Sequence, residues 1–302
     1  MKVALAIASF RQNEAVCRLL DRVFDELSGV FSTVIVVDSL GDGGVQAHVT
    51  AQGYDGVVVI NAEENLGSAG NLYERFVQAE ATGADWMYAI NHDGEVSREA
   101  VDAFIAAARS STGVGAFYPL RFVPARASYD VTGTQRFPLP FRGTRGADAM
   151  AETTAVRWAS SNGAFYNLQP FRDGIRPPAE FWMGWEDLAY GWALDAAGWK
   201  QLVLRAAPFV DDREYLRRRI FGREVTISDK PAWYAYYSAR NFLLVARSPS
   251  AGVMEVGTIV TRILLEAGVT ITFKPQPMKR LKFMAQGVID GLQGKGGKWH
   301  LP

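Results

Sequence analysis

The strongest constraint on this chain is a rhythm in its first third. Short, unbroken apolar runs alternate with stretches of helical periodicity. The runs are Val3–Ala8, Val34–Val37, Val57–Ile60 and Trp86–Ile90. Between the first two, residues 14–27 set Val16, Leu19, Leu20, Val23, Phe24 and Leu27 on one helical face. Ala69–Ala81 also reads as a helix, as does the stretch from Ser97, a capping residue, to Arg109. Strands this short and apolar are covered on both faces, and strands that alternate with helices build βαβ units. The expectation is an α/β chain with a parallel sheet flanked by helices.

The rhythm breaks near residue 119. Pro119, Pro124, Pro138 and Pro140, among several Gly and Arg, predict an irregular insertion or lid over 119–150. Val156–Trp158 resumes strand character, and Ser160-Ser161-Asn162-Gly163 reads as a turn. A helix over 186–197 stops at Gly198, and a strand follows at Gln201–Leu204. Residues 233–247, 254–267 and 278–292 read as three further helices, and 294–298 as a flexible basic loop.

Composition narrows the function classes. Lys+Arg and Asp+Glu both number 32, which is not the basic balance of a typical nucleic-acid binder. Residues 1–204 hold 16 basic and 24 acidic side chains, a net of −8, and residues 205–302 hold 16 and 8, a net of +8. The single cysteine, Cys17, excludes an intramolecular disulfide framework and a cysteine-based zinc site. The apolar start turns polar at Arg11, too early for a signal peptide, so it reads as a buried strand. The apolar run from Val253 to Phe273 carries Glu255, Arg262 and Glu266, which argues against a spanning helix.

In an open parallel sheet, ligands lie beyond the carboxyl ends of the strands. There the sequence offers Ser9 and Arg11, then Asp38, then Asn65-Leu66-Gly67-Ser68-Ala69-Gly70-Asn71, then Asn91-His92-Asp93. The stretch from Asn65 to Asn71 looks like a phosphate-binding turn, with Gly67 and Gly70 permitting close approach and a helix start supplying N–H groups. No dinucleotide or P-loop fingerprint is present. Asp93 is suited to a divalent cation that bridges phosphates. Farther on, Phe181-Trp182-Met183-Gly184-Trp185-Glu186-Asp187 crowds aromatics around two acids at a helix start, a setting in which a carboxylate can act as a general base.

Seven pieces in order carry a resemblance. They are Ala-Ser9-Phe-Arg11, Val-Val-Asp38, Glu-Asn65-Leu-Gly67-Ser-Ala-Gly70-Asn71, the strand leading to Asn91-His92-Asp93, Ser-Asn162-Gly-Ala-Phe, Trp185-Glu186-Asp187 and Tyr-Tyr-Ser-Ala-Arg240-Asn241. Over roughly residues 3–247 the chain resembles the inverting glycosyltransferases of family 2, with the GT-A fold. The likeness is greatest to the bacterial branch with rhamnosyl- and galactofuranosyltransferases. It implies a Rossmann-like nucleotide-sugar half over 1–118, an acceptor half over 119–230, and a helical C-terminal extension over 231–302.

The resemblance also implies roles. Asp38 would contact the donor's base or ribose, with Ser9 and Arg11 near the nucleotide. Residues from Asn65 to Asn71 would lie along the diphosphate and donor sugar. Asp93 would be the last residue of an Asp-x-Asp metal motif, for Mg²⁺ or Mn²⁺. Asp187 would be the base, and Trp185 and Glu186 would hold the acceptor, with Trp182 and Asn162 beside them. The first acid of the motif is Asn91 here, and its middle residue, His92, joins the coordination or faces solvent. A later metal-completing His is absent from 208–212, where Asp211 or Asp212 would substitute or no metal is needed.

Expected partners are a nucleoside-diphosphate sugar and a glycan or lipid-linked acceptor, without nucleic acid, in polysaccharide or glycolipid synthesis. A sugar-1-phosphate nucleotidyltransferase would show a Gly-rich loop after the first strand, and a decayed binding protein would not keep Asp93 and Asp187. Residues 215–223 and the set Lys274, Lys279, Arg280 and Lys282 interleave cations with apolar residues. That pattern suits peripheral contact with the inner face of a membrane from the cytoplasm, or a homo-oligomer contact.

Overall fold

The computed structural model describes residues 1–124, 128–130, 151–210, 216–220, 223–227, 230–249 and 251–299. The opening rhythm is realised as β1 (Val3–Phe10), α1 (Asn13–Glu26), β2 (Thr33–Ser39), α2 (Gly44–Gln52), β3 (Val57–Ala62), α3 (Gly67–Ala81), β4 (Trp86–Asn91) and α4 (Arg98–Ser110). Ser97 caps α4 as expected, its Oγ accepting from the Ala100 N–H at 3.1 Å. There follow β5 (Val114–Val123), β6 (Ser128–Asp130), β7 (Thr153–Ala155), β8 (Ala164–Asn167), the short α5 (Gln169–Arg172), α6 (Glu186–Ala196) and β9 (Lys200–Val210). The chain continues with β10 (Leu216–Ile220), β11 (Arg223–Ile227), α7 (Tyr234–Ala246), α8 (Val253–Phe273) and α9 (Pro277–Leu292).

Among the described residues one sheet runs in the order β3-β2-β1-β4-β8-β5-β9-β7, with β6 on β5, and β10 and β11 form a separate hairpin. Strands β3, β2, β1 and β4 are parallel. β8 enters antiparallel between β4 and β5. Alternate side chains of β1 feed the two faces of the sheet. Leu5 and Ile7 pack with Leu20 and Val23 of α1 and Phe104 of α4. Ala4 and Ala6 lie in the opposite layer with Leu72 and Phe76 of α3. A third cluster joins Leu188 and Trp192 of α6 to Phe242 and Val245 of α7 and Ile259 of α8.

Several elements differ from the sequence reading. Helix α2 was not expected, because its start is Gly43-Gly44 and its apolar residues follow no clear stripe. Strand β5 crosses Pro119, where the pairing with β9 shifts register, so a proline read as a break is accommodated at an irregularity. Strand β7 lies at Thr153–Ala155, one step before the expected strand at Val156–Trp158. The part of the expected lid over 131–150, with Pro138 and Pro140, lies outside the described residues, as do Asp211 and Asp212.

The expected flexible basic loop at 294–298 is docked. Gly297 donates its N–H to Glu180 O at 2.5 Å and accepts from Arg240 Nη1 at 2.5 Å. Trp299 stacks on Tyr236 with ring centroids 4.3 Å apart. Helix α8 runs six residues beyond its expected end and, by length and composition, suffices to cross a membrane. The three charges that argued against this are bonded to the protein body or packed on it, as described below.

Candidate active site

Sheet register brings the ends of β1, β2 and β4 together. Ser9 of β1 is the partner of Asp38 of β2, and Ala8 is the partner of Asn91 of β4. Ser9 and Asp38 are only 2% and 1% exposed. Yet neither Ser9 Oγ nor either carboxylate oxygen of Asp38 meets a partner at hydrogen-bond geometry. Burial pushes the Asp38 carboxyl above its ordinary value. The nearby Asp42 charge adds to this, while Ser9 and His92 oppose it. Buried polar groups without partners are rare and need an explanation. A hydroxyl and a carboxylate side by side at a strand carboxyl end form a ready wall for a hydroxyl-bearing ligand.

The Asn91-His92-Asp93 turn leaves β4 beside this pair. The Asn91 N–H donates to Asn162 Oδ1 at 2.9 Å, and the His92 N–H to Ala8 O at 3.0 Å. Arg121, 6% exposed, donates in turn to Asn162 O and lies 4.8 Å from the Phe209 ring centroid. Asn162 is therefore occupied in holding the turn, which differs from the expected acceptor contact. His92 is half-buried. Asp93 is exposed at the rim. Arg11, also exposed, turns the chain after β1 with a φ of 55°.

The turn from Asn65 to Asn71 is stitched to the rest of the protein. Asn65 Oδ1 accepts from the Gly67 N–H at 2.9 Å, and the Ala69 N–H donates to Trp182 O at 3.1 Å. Two amides at the start of α3 are therefore already engaged, which narrows the donor set expected for phosphate. Gly67 has a φ of 68°, and a Cβ there would overlap Trp182 O. Gly70 carries no such demand, since a Cβ would meet only Leu66 at 3.3 Å. Asn71, 4% exposed, donates to Val37 O at 2.8 Å and so fastens α3 to β2 instead of facing the donor sugar.

Glu186 and Asp187 separate sharply at the start of α6. Glu186 is 7% exposed, and burial raises its carboxyl against the opposing pull of Ser68 and the Arg75 charge. That inward position differs from the acceptor-holding role expected of it. Asp187 is half-buried, and its Oδ1 accepts from the Leu188 N–H at 2.8 Å. Arg75 was not anticipated. It lies in α3, is 2% exposed, and donates from Nη1 to Ala6 O and Ile90 O at 3.3 Å each. Desolvation pulls its guanidinium down to about 10.

The aromatic wall is held from behind. Trp185 has a φ of 68° and donates to Ser238 Oγ at 3.2 Å. Its ring packs 4.1 Å from Phe242 and 4.8 Å from the Arg262 guanidinium. Trp182 donates to Asn65 O at 3.0 Å and packs 4.8 Å from Tyr237. Asn241, fully buried, donates from Nδ2 to Phe181 O, Met183 O and Gly184 O at 3.0, 2.9 and 2.8 Å. Arg240, 1% exposed, adds a bond to Phe181 O at 2.7 Å. Replacing Asn241 with Ala strands the Met183 and Gly184 carbonyls. We expect a loss of about 1–3 kcal/mol in denaturant unfolding, larger than for Ala at the half-buried Asn13.

No family model matches the sequence, and no curated protein matches it. Solved structures do share the fold. The S. aureus TarS 1–349 structure in complex with UDP-GlcNAc is 13% identical, with a TM-score of 0.60 over 98% of this chain and 82% of that one. The mannosyltransferase PcManGT from Pyrobaculum calidifontis, in complex with GDP-Man and Mn²⁺, is 12% identical, with a TM-score of 0.56 over 97% and 88%. GalNAc-T7 with UDP, GalNAc and Mn²⁺ is 12% identical, with a TM-score of 0.54 over 87% of this chain and 54% of that one. The mostly parallel sheet with its helical C-terminal region is the GT-A fold.

Proposed function

We propose that this chain is an inverting glycosyltransferase that takes a sugar from a nucleoside diphosphate and transfers it to an acceptor hydroxyl. The observation that carries the reading is the buried, unpartnered pair of Ser9 Oγ and the Asp38 carboxylate at the carboxyl ends of β1 and β2. A ribose or base edge supplies the donors that this carboxylate lacks. The nucleotide sugars bound by TarS and PcManGT in the same fold support the choice of donor.

Asp187 is the base in this reading. It takes the proton of the acceptor hydroxyl as that oxygen attacks the anomeric carbon, opposite the departing diphosphate, and the single displacement inverts the configuration. Glu186 lies inward beneath the start of α6 with the Arg75 charge acting on it, and the aromatics at Trp182 and Trp185 wall the acceptor side. No group of three or more His, Cys, Asp or Glu among the described residues is arranged to hold a metal. A Mg²⁺-type cation asks for less, one or two carboxylates with substrate phosphates completing its shell. Asp93 with Asn91 fits that demand, and a cation there would stabilise charge on the leaving diphosphate.

The branch with rhamnosyl- and galactofuranosyltransferases is the closest fit to the sequence motifs. It points to polysaccharide, cell-wall or glycolipid synthesis on the cytoplasmic side of a membrane. Release of nucleoside diphosphate from a panel of nucleotide sugars tests the reading. One donor is expected to turn over, with chelator and Asp93→Ala each lowering the rate. Failure to bind or turn over any donor would remove the proposal. Turnover indifferent to chelator would remove the cation alone.

A further inference from the structure

Helix α8 is turned inside out. Its charged residues face the protein: Glu255 accepts from Arg157 Nη1 at 2.7 Å, Arg262 lies over Trp185 and Phe242, and Glu266 pairs with Lys274. Its outward face carries Val253, Met254, Val260, Leu264, Leu265 and Ile271, which are 42% to 91% exposed, interspersed with Gly257, Thr261 and Gly268. No charged residue of α8 is exposed. At 1.5 Å per residue the helix is about 31 Å long, so this is one continuous apolar stripe and not a scatter of single residues.

Helix α9 repeats the pattern. Met278, Lys282, Ala285, Ile289 and Leu292 are all exposed and recur at helical spacing on one face. Residues 251–299 hold seven cations against three carboxylates. Each of those carboxylates is bonded to a cation of the protein, Asp290 to Lys295 at 3.3 Å. Lys279, Lys282 and Lys298 are exposed.

We infer that the outward faces of α8 and α9 lie in the interface of an anionic lipid bilayer, with α8 parallel to its plane. Aliphatic stripes bury into the boundary between headgroups and acyl chains, and lysines at their margin reach anionic headgroups. Charge selects this occupant over a second copy of the chain. A second copy would bring the same net-positive rim against this one, whereas anionic headgroups complement it. The inference needs no catalytic activity, so it stands or falls apart from the proposed reaction.

Flotation of the full chain with phosphatidylcholine vesicles, with and without phosphatidylglycerol, tests it at low salt. The wild type is expected to float with the anionic vesicles. Val260→Glu with Leu264→Glu, both at exposed positions, is expected to stay at the bottom of the gradient while keeping the wild-type circular dichroism. Lys279→Gln with Lys282→Gln is expected to weaken binding roughly fivefold per cation. A wild type that stays at the bottom overturns the inference, as does a glutamate double variant that still floats. A wild-type dimer that the glutamate pair converts to monomer assigns the face to a second copy instead.

Discussion

Asp187→Asn is expected to lower turnover by a factor of about 10²–10⁴ while donor affinity stays near the wild-type value, as loss of a positioned base requires. The two acids at the start of α6 differ in access, and that difference makes the prediction specific. Glu186 is 7% exposed and turned toward Ser68 and Arg75, whereas Asp187 is half-buried beside the aromatic wall. The helix N-terminus favours the ionised carboxylate that a base needs. Asparagine keeps the shape and the acceptor oxygen for the Leu188 N–H but cannot take the proton. The rate should therefore fall in kcat with KM for donor little changed. Calorimetry with the nucleoside diphosphate and initial rates on the same preparation separate the two quantities. Turnover near wild type would move the base elsewhere.

Asp38→Asn is expected to act in opposite directions on stability and on binding. The carboxylate is 1% exposed, and burial outweighs the pull of the neighbouring Ser9 hydroxyl, so its charge is buried at a cost. A neutral amide of the same shape should stabilise the fold on the order of 1 kcal/mol, about 2–4 °C in Tm for a chain of this size. The pH dependence fixes the sign. The folded-state carboxyl is raised above 3.8, so the native state holds its proton to higher pH than the unfolded state does. Its penalty is absent below 3.8 and grows as pH rises through the raised value. The stability gain from Asn should therefore appear at neutral pH and vanish in acid. Donor affinity should fall about 10–100-fold, because a charged hydrogen bond to the nucleotide is lost. Denaturant unfolding across a pH series, beside calorimetry, reads both effects.

What the sequence disclosed follows from how local each signal is. β1, β2 and β4 are buried on both faces and the edge strand β3 is half-buried, and each holds an unbroken apolar run that needs no context to recognise. β8 is four residues long and exists because it is inserted between β4 and β5, a fact about distant partners and not about Ala164–Asn167. Arg75 shows the same limit at the site. Its place on α3 reads as an ordinary solvated position, and only the packing of α3 under β1 and β4 turns it inward. Asp38, Asp93 and Asp187 stand out in the sequence because they follow strand ends or open a helix, the places where ligands gather on an open sheet. Asn71 and Asn162 carry bonds to Val37 O and from the Asn91 N–H that no local signal in the sequence discloses.

Four consecutive carbonyls, from Phe181 to Gly184, accept bonds from Asn241, Arg240 and the Ala69 N–H. The grip is on the main chain, which every residue possesses. Side chains at Trp182 and Met183 are not themselves what Asn241 and Arg240 hold. A change of side chain at Met183 leaves those main-chain bonds in place. A segment gripped this way can vary its side chains while the position of the neighbouring carboxylate, Asp187, stays constant.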